Sequence, residues 1–208
     1  LKDVYGEILN ILMKENDIKK SIDFLDKALN DLVEGNVPME KLMITRALRS
    51  DYKNPNQIAH KVLADRIGKR DQGNEPKPGD RMRFVFIQNN TPRALLGDRI
   101  ETPEYILENK INIDYTYYIT NQLMKPLQQL FGLAVEKIWE FQKKQGAIKT
   151  YRKDMEKMEK DFGSNYEVFM KRKEKYCSLK IKALLFDKIL NKIANKRNNI
   201  QMITNFFN

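Results

Sequence analysis

Apolar residues recur every three to four positions over most of this 208-residue chain, and that spacing restricts the fold more than any other feature. Val4, Ile8, Leu9 and Leu12, then Ile18, Ile22, Leu25, Leu29, Leu32 and Val33, predict helix from 2 to 34. Asn16 or Asp17 is placed to cap a second helix inside that span. Gly35 is placed to stop it, because glycine enters the left-handed region without a Cβ clash. Pro38 suits the first turn of a short helix. Leu42-Met43-Ile44-Thr45 is ambiguous between helix and strand. Asn54-Pro55 reads as a helix start, with a stripe at Ala59, Leu63 and Ile67 and a stop at Gly68. Residues 69–80 read as a Gly/Pro loop. Residues 81–88 alternate as a strand, Met82, Phe84 and Phe86 facing one way and Arg81, Arg83, Val85 and Ile87 the other. Thr102-Pro103 opens a short helix. Asp114 caps a longer one running to Leu130 and Gly132, which Pro126 should bend. From 134 the pattern is helical again, in segments of about 134–145, 147–162 and 165–198 separated by Gly146 and Gly163-Ser164. Leu179, Ala183, Phe186, Ile189, Leu190 and Ile193 predict the packing stripe of the last segment. The expected fold class is mainly α with a small β element.

Residue types remove several kinds of chemistry. A chain of this length buries roughly 70% of its unfolded surface, so a core needs neither disulfides nor metals. One Cys, Cys177, makes no internal disulfide, and with one His, His60, no Cys/His metal cluster is expected. His60 lies beside the apolar stripe and reads as structural. No apolar run approaches the ~18 residues of a membrane-spanning helix. There is no glycine-rich phosphate loop, no activated nucleophile and no carboxylate set fit for two divalent ions. These residues predict a binding module, with no catalytic residue and no metal ligand. The chain begins at Leu1 and has no signal-peptide pattern, so a piece of a longer protein is expected.

Charge is unevenly placed. The whole chain carries +10, residues 51–100 carry +4, residues 101–136 carry −3 and residues 137–208 carry +10. Two basic regions favour a polyanionic partner, nucleic acid being the commonest. A solvated lysine-rich helix face is the competing explanation for the second region.

The order of short motifs between 21 and 131 resembles the thumb of family B DNA polymerases, in particular the eukaryotic delta-type catalytic subunit and its relatives in large DNA viruses. The resemblance is carried by Leu42-Met43-Ile44-Thr45-Arg46-Ala47-Leu48 and by Ala59-His60-Lys61-Val62-Leu63-Ala64-Asp65-Arg66. Lys69-Arg70-Asp71-Gln72-Gly73 and Pro78-Gly79-Asp80-Arg81 follow. Asp114-Tyr115, Tyr117-Tyr118, Gln122-Leu123, Lys125-Pro126-Leu127 and Phe131 complete it. It implies a thumb over 1–136 that wraps duplex primer–template DNA behind a palm carrying the catalytic aspartates and two Mg²⁺. The expected activity is DNA-directed DNA synthesis, a nucleotidyl transfer, at an intracellular replication site, nuclear or in a cytoplasmic virus factory. This stretch alone should be inactive and hold no cofactor.

A grip on any sequence must go through phosphates. Lys69, Arg70, Arg81 and Arg83 flank the Gly/Pro loop and are the first candidates for converging on one DNA backbone. Arg46, Arg49 and Lys53 are second-rank candidates. The alternative for Arg81 and Arg83 is a surface pairing with Asp71, Asp80 or Glu75. Tyr115, Tyr117 and Tyr118 fit a core better than a DNA contact.

The chain departs from the delta type after 136. With only Cys177, the zinc and iron–sulfur modules of that family are not expected. In their place come a Lys-rich helical extension, 137–198, and a tail, 199–208. Ile200-Gln201-Met202-Ile203-Thr204-Asn205-Phe206-Phe207 resembles the sliding-clamp-binding motif at Ile203, Phe206 and Phe207, with Ile200 where that motif has Gln. The alternative is a non-enzymatic basic helical module, 137–208, that recruits a replication protein.

Overall fold

Residues 1–197 are described by the computed structural model, so the tail residues Ile203, Phe206 and Phe207 lie outside the described residues. The chain is mainly α, with one small antiparallel sheet, and divides into two units. One joins Leu1–Glu34 to the described residues from Ile119 onward; the other is Gly35–Tyr118.

The helical unit begins with α1 (Lys2–Asn10), a π-turn at Ile11–Glu15 and a stop at Asn16, whose φ is 51°. The α2 helix (Ile18–Glu34) then starts afresh, because the Asp17 carboxylate accepts the Lys20 N–H at 2.8 Å. It ends where Gly35 takes φ 79°, as its position in the sequence predicts. Among the described residues, five helices follow in this unit: α6 (Lys125–Gly132), α7 (Val135–Phe141), α8 (Gln145–Phe162), α9 (Tyr166–Ile181) and α10 (Asp187–Arg197). Pro126 opens α6 and a π-helical run, Tyr118–Met124, precedes it. Proline gives no N–H to the preceding turn, and the chain there adopts the wider hydrogen-bonding pattern.

Ile8, Ile11, Leu25, Leu29 and Leu32 of the N-terminal segment are buried, as are Leu127, Phe131, Ile138, Ile181 and Phe186. The apolar faces of α1, α2 and α6 are thus covered by α7, α9 and α10, and packing does not divide at residue 136. Gly132 lets α6 approach α9 closely: a Cβ there would stand 3.4 Å from the Cys177 Cβ. Gln128 Nε2 seals the contact by donating to the Ser178 carbonyl at 2.8 Å. Tyr151 of α8 sits between Trp139, at 5.6 Å, and Tyr176, at 6.0 Å; burial pushes its phenol up to about 12.

Two details differ from the sequence pattern. Gly146 does not interrupt a helix but lies in the first turn of α8, where backbone N–H groups have no intrahelical partner anyway. On the last segment, Leu179 is 59% exposed and Ala183 is exposed, while Cys177, Ile181 and Leu185 are buried with Phe186, Ile189 and Ile193. A π-turn at Lys182–Phe186 adds a residue and rotates the apolar stripe between α9 and α10.

The sheet-bearing unit contains β1 (Ile44–Ala47), β2 (Arg81–Phe86) and β3 (Ile100–Glu101), in the order β1-β2-β3. Ile44 pairs with Phe84 and Ala47 with Arg81; Phe86 pairs with Ile100. Met82, Phe84 and Phe86 are buried as the alternation predicts, but so are Val85 and Ile87. The second half of β2 is therefore covered on both faces. The α3 helix (Ala59–Arg70) starts after a 3₁₀ turn at Pro55–Gln57, with Ile58 extended between them, so Asn54-Pro55 opens only that turn. It also passes through Gly68. A Cβ there would stand 2.8 Å from the Glu75 Cγ, so this glycine serves close packing and not a helix stop. Thr102 and Asp114 cap α4 (Pro103–Asn109) and α5 (Tyr115–Tyr117), accepting from Tyr105 and Tyr117 N–H at 3.3 and 3.0 Å.

Tyr118 ties this unit together. Its buried hydroxyl donates to the Leu42 carbonyl and accepts the Phe86 N–H, each at 2.9 Å. Burial raises the phenol well above its ordinary range. Phe86 stacks on Tyr117 at 3.5 Å, which makes both tyrosines framework.

Candidate nucleic-acid interface

The seven basic candidates all lie in the sheet-bearing unit: six on or beside β1, on β2 and at the end of α3, and Lys53 exposed just before the Pro55–Gln57 turn. Arg81 and Arg83 leave one side of β2, opposite Ala47 and Thr45; Arg46 is opposite Met82 and so leaves the other side. All three are exposed. Lys69 is exposed on the last turn of α3, in a shallow depression shared with Asp65, Gln72 and Glu75. Among the described residues, Arg46, Arg49, Lys69 and Arg81 have no acidic partner within ion-pair distance.

Arg70 is held differently. Its Nη2 lies 2.6 Å from Glu101 Oε1, and its guanidinium covers the Tyr105 ring at 3.7 Å. Arg66 Nε reaches the same carboxylate oxygen at 3.0 Å, and Thr102 N–H donates to the other at 3.2 Å. Glu101 is only 2% exposed. Its hydrogen bond to Arg70 raises that guanidinium above its ordinary range. Arg83 pairs with Glu104 at 3.5 Å, through two exposed side chains, and not with Asp71, Asp80 or Glu75. Such a pair is worth little and yields easily to a stronger anion. Arg70 and Arg83 do converge, but on carboxylates of the β3–α4 junction. Sequence reasoning did not single out Glu101, which no local motif marks and whose partners are 31 and 35 residues earlier.

His60 sits on the first turn of α3. Its Nε2 lies 3.0 Å from the Tyr52 hydroxyl, which accepts the Arg49 N–H at 2.8 Å and so has its proton free for the imidazole. Burial, then the charge of Arg46, lowers the His60 pKa from 6.5, although a hydrogen bond to Ala47 opposes the shift. The histidine is structural, and it shows that Arg46 and Arg49 lie within electrostatic reach of the start of α3.

Folding stability depends on pH as a result. The unfolded chain takes up the His60 proton at a higher pH than the folded chain does. The contribution is therefore complete above 6.5 and is lost as pH falls through the lower folded value. The urea midpoint is expected to fall between pH 7.5 and pH 5 by less in His60→Asn than in the parent chain. Equal falls would show that His60 carries none of the effect.

Among the described residues no group of three or more His, Cys, Asp or Glu is placed to hold a metal ion, and no helix is long and apolar enough to cross a membrane.

Comparison with known proteins identifies the class. The family model for DNA polymerase family B matches residues 1–134. The chain belongs to that family. It is 40% identical over 209 residues to a DNA polymerase of Pyramimonas orientalis virus, covering 100% of this chain and 17% of the relative. It is 41% identical over 141 residues to a DNA polymerase of Acanthamoeba polyphaga mimivirus, covering 65% of this chain and 8% of the relative. The DNA polymerase delta catalytic subunit of Schizosaccharomyces pombe is 39% identical over 133 residues, 62% of this chain and 12% of that subunit. The chain thus spans less than a fifth of the length of each of these relatives, and the alignment to the first also takes in the extension.

Proposed function

We propose that residues 1–136 act as the thumb of a DNA-directed DNA polymerase, holding primer–template duplex by its phosphates during replication. The observation that carries this reading is the set of four exposed cations without acidic partners, Arg46, Arg49, Lys69 and Arg81, within the part matched by the polymerase family. Arg83 joins them by exchanging Glu104 for a phosphate. Arg70 stays with Glu101 and Tyr105 and does not contact DNA. The chemistry belongs to the parent enzyme's palm, where two Mg²⁺ would assist attack of the primer 3′-hydroxyl on a nucleoside triphosphate. Activity takes place inside the cell, in a nucleus or a virus factory.

The chain should bind duplex DNA weakly, without sequence preference, and with an affinity that falls steeply with salt. Anisotropy titrations of a labelled duplex from 50 to 500 mM salt test this. An affinity that does not change across that range would exclude a phosphate grip.

The tail extends the proposal. Ile203, Phe206 and Phe207 would fill an apolar pocket on a sliding clamp, since one tight helical turn brings positions four, seven and eight of the motif to one side. Replacing Phe206 and Phe207 by Ala is expected to weaken clamp binding at least tenfold in a pull-down or calorimetric titration. Unchanged binding would favour the alternative, in which 137–208 recruits a different replication protein.

A further inference from the structure

The α8 helix presents two opposed faces. Ile148 and Tyr151 are buried, with Met155, Met158 and Phe162 half-buried behind them on the same stripe. Lys149, Lys153, Lys157 and Lys160 lie on the opposite side, at spacings of four, four and three residues, and all are exposed. Among the described residues none has a carboxylate within ion-pair distance. Glu156 shares that face without forming an ion pair. Arg152, on the flank, is engaged by Glu136 at 3.3 Å. Two more exposed lysines, Lys143 and Lys144, precede the helix.

We infer that this face of α8 is a second duplex-DNA backbone track, separate from the one proposed on the sheet-bearing unit. From Lys149 to Lys160 the row spans about 16 Å of helix. Because a DNA strand winds around the duplex axis, a straight row of this length stays beside only about three consecutive phosphates of one strand. Lysine acts as a point charge on a flexible stem and needs no register with the bases, which suits a contact made to any sequence. A membrane surface is a poorer partner, because the apolar face of α8 is already packed and adds nothing to the attraction of its charges for anionic lipid. The extension thereby acquires a role for its net +10. It adds a DNA contact outside the part that the family model matches, 1–134.

The test uses the full 208-residue chain and a labelled duplex of about 30 base pairs. The measured quantity is the slope of log affinity against log salt. Replacing Lys149, Lys153, Lys157 and Lys160 by Gln keeps helix propensity and leaves the core untouched. A charge-matched control replaces four exposed lysines elsewhere in the same unit, Lys2, Lys14, Lys19 and Lys27, by Gln. The α8 variant is expected to flatten the slope by about three, near 0.9 for each phosphate that is no longer neutralised, and the control by less than one. Equal changes in both, or no change in the α8 variant, would overturn the inference. Neutralising Arg46, Arg49, Lys69 and Arg81 in parallel separates the two proposals. If only that variant flattens the slope, the α8 track is wrong and the thumb grip stands; if only the α8 variant does, the reverse holds. If the parent chain binds no duplex at 50 mM salt, both fall.

Discussion

Replacing Arg46, Arg49, Lys69 and Arg81 together by Gln is expected to weaken duplex binding roughly a hundredfold at 50 mM salt and to flatten the salt slope by about three to four. The size follows from what these side chains are not doing. None is held by a carboxylate among the described residues, so none must break an ion pair to take a phosphate. Stability should change by less than about 0.5 kcal/mol, because each is an exposed surface side chain. Arg70→Ala is the contrasting variant. It removes a guanidinium bonded to a buried carboxylate and stacked on Tyr105, so it should lower the unfolding midpoint while leaving the slope within about half a unit. A flattening of the slope by Arg70→Ala as large as that from Lys69→Ala would mean that Arg70 leaves Glu101 for DNA. Arg83→Ala belongs between these cases, since its pair with Glu104 is exposed and weak.

The contrast between Arg70 and its neighbour Lys69 shows where sequence reasoning stops. By charge the two are equivalent, and both stand on the last turn of α3. They separate because Arg70 lies against β3 and α4, where Glu101 and Tyr105 receive it. Local signals did well where the cause is local. Asp17 begins α2, Gly35 ends it, and Thr102 and Asp114 cap the helices they precede. They did less well where the cause is tertiary. Gly68 carries the signature of a stop yet serves the approach of Glu75. The stripe through Leu179 and Ala183 fits a regular helix, but the π-turn at Lys182–Phe186 turns a different set of side chains inward. The same limit applies to charge. The +4 over 51–100 contains Arg66, Arg70 and Arg99, whose charges are taken up by the buried carboxylates of Glu101 and Asp114. What remains for a polyanion is a smaller set, which only placement could select.

Glu101→Ala should have the largest effect on the fold, lowering the stability of the sheet-bearing unit by about 3 kcal/mol. The side chain is 3% exposed and one of its oxygens serves both Arg66 and Arg70. Removing it leaves two guanidinium groups facing a low-dielectric space with no counter-charge, and the Thr102 N–H at the start of α4 loses its acceptor. Arg66 also donates to the Gly97 and Ile100 carbonyls, which holds it in place and prevents it from swinging into solvent to escape that cost. Arg70, 35% exposed, has more freedom, and this keeps the figure from the upper end for a fully buried pair. Glu101→Gln retains the volume and one acceptor, so it should lose less, about 2 kcal/mol. Urea unfolding monitored by tyrosine fluorescence measures both variants. A loss below about 1 kcal/mol for the Ala variant would mean that the arginines find water or other carbonyls, and that the Glu101 cluster is not what anchors α3 to β3. Combining Glu101→Ala with Arg70→Ala sharpens the result. If the cost is an uncompensated charge, the double variant should be less destabilised than the sum of the two single ones, by at least about 1 kcal/mol.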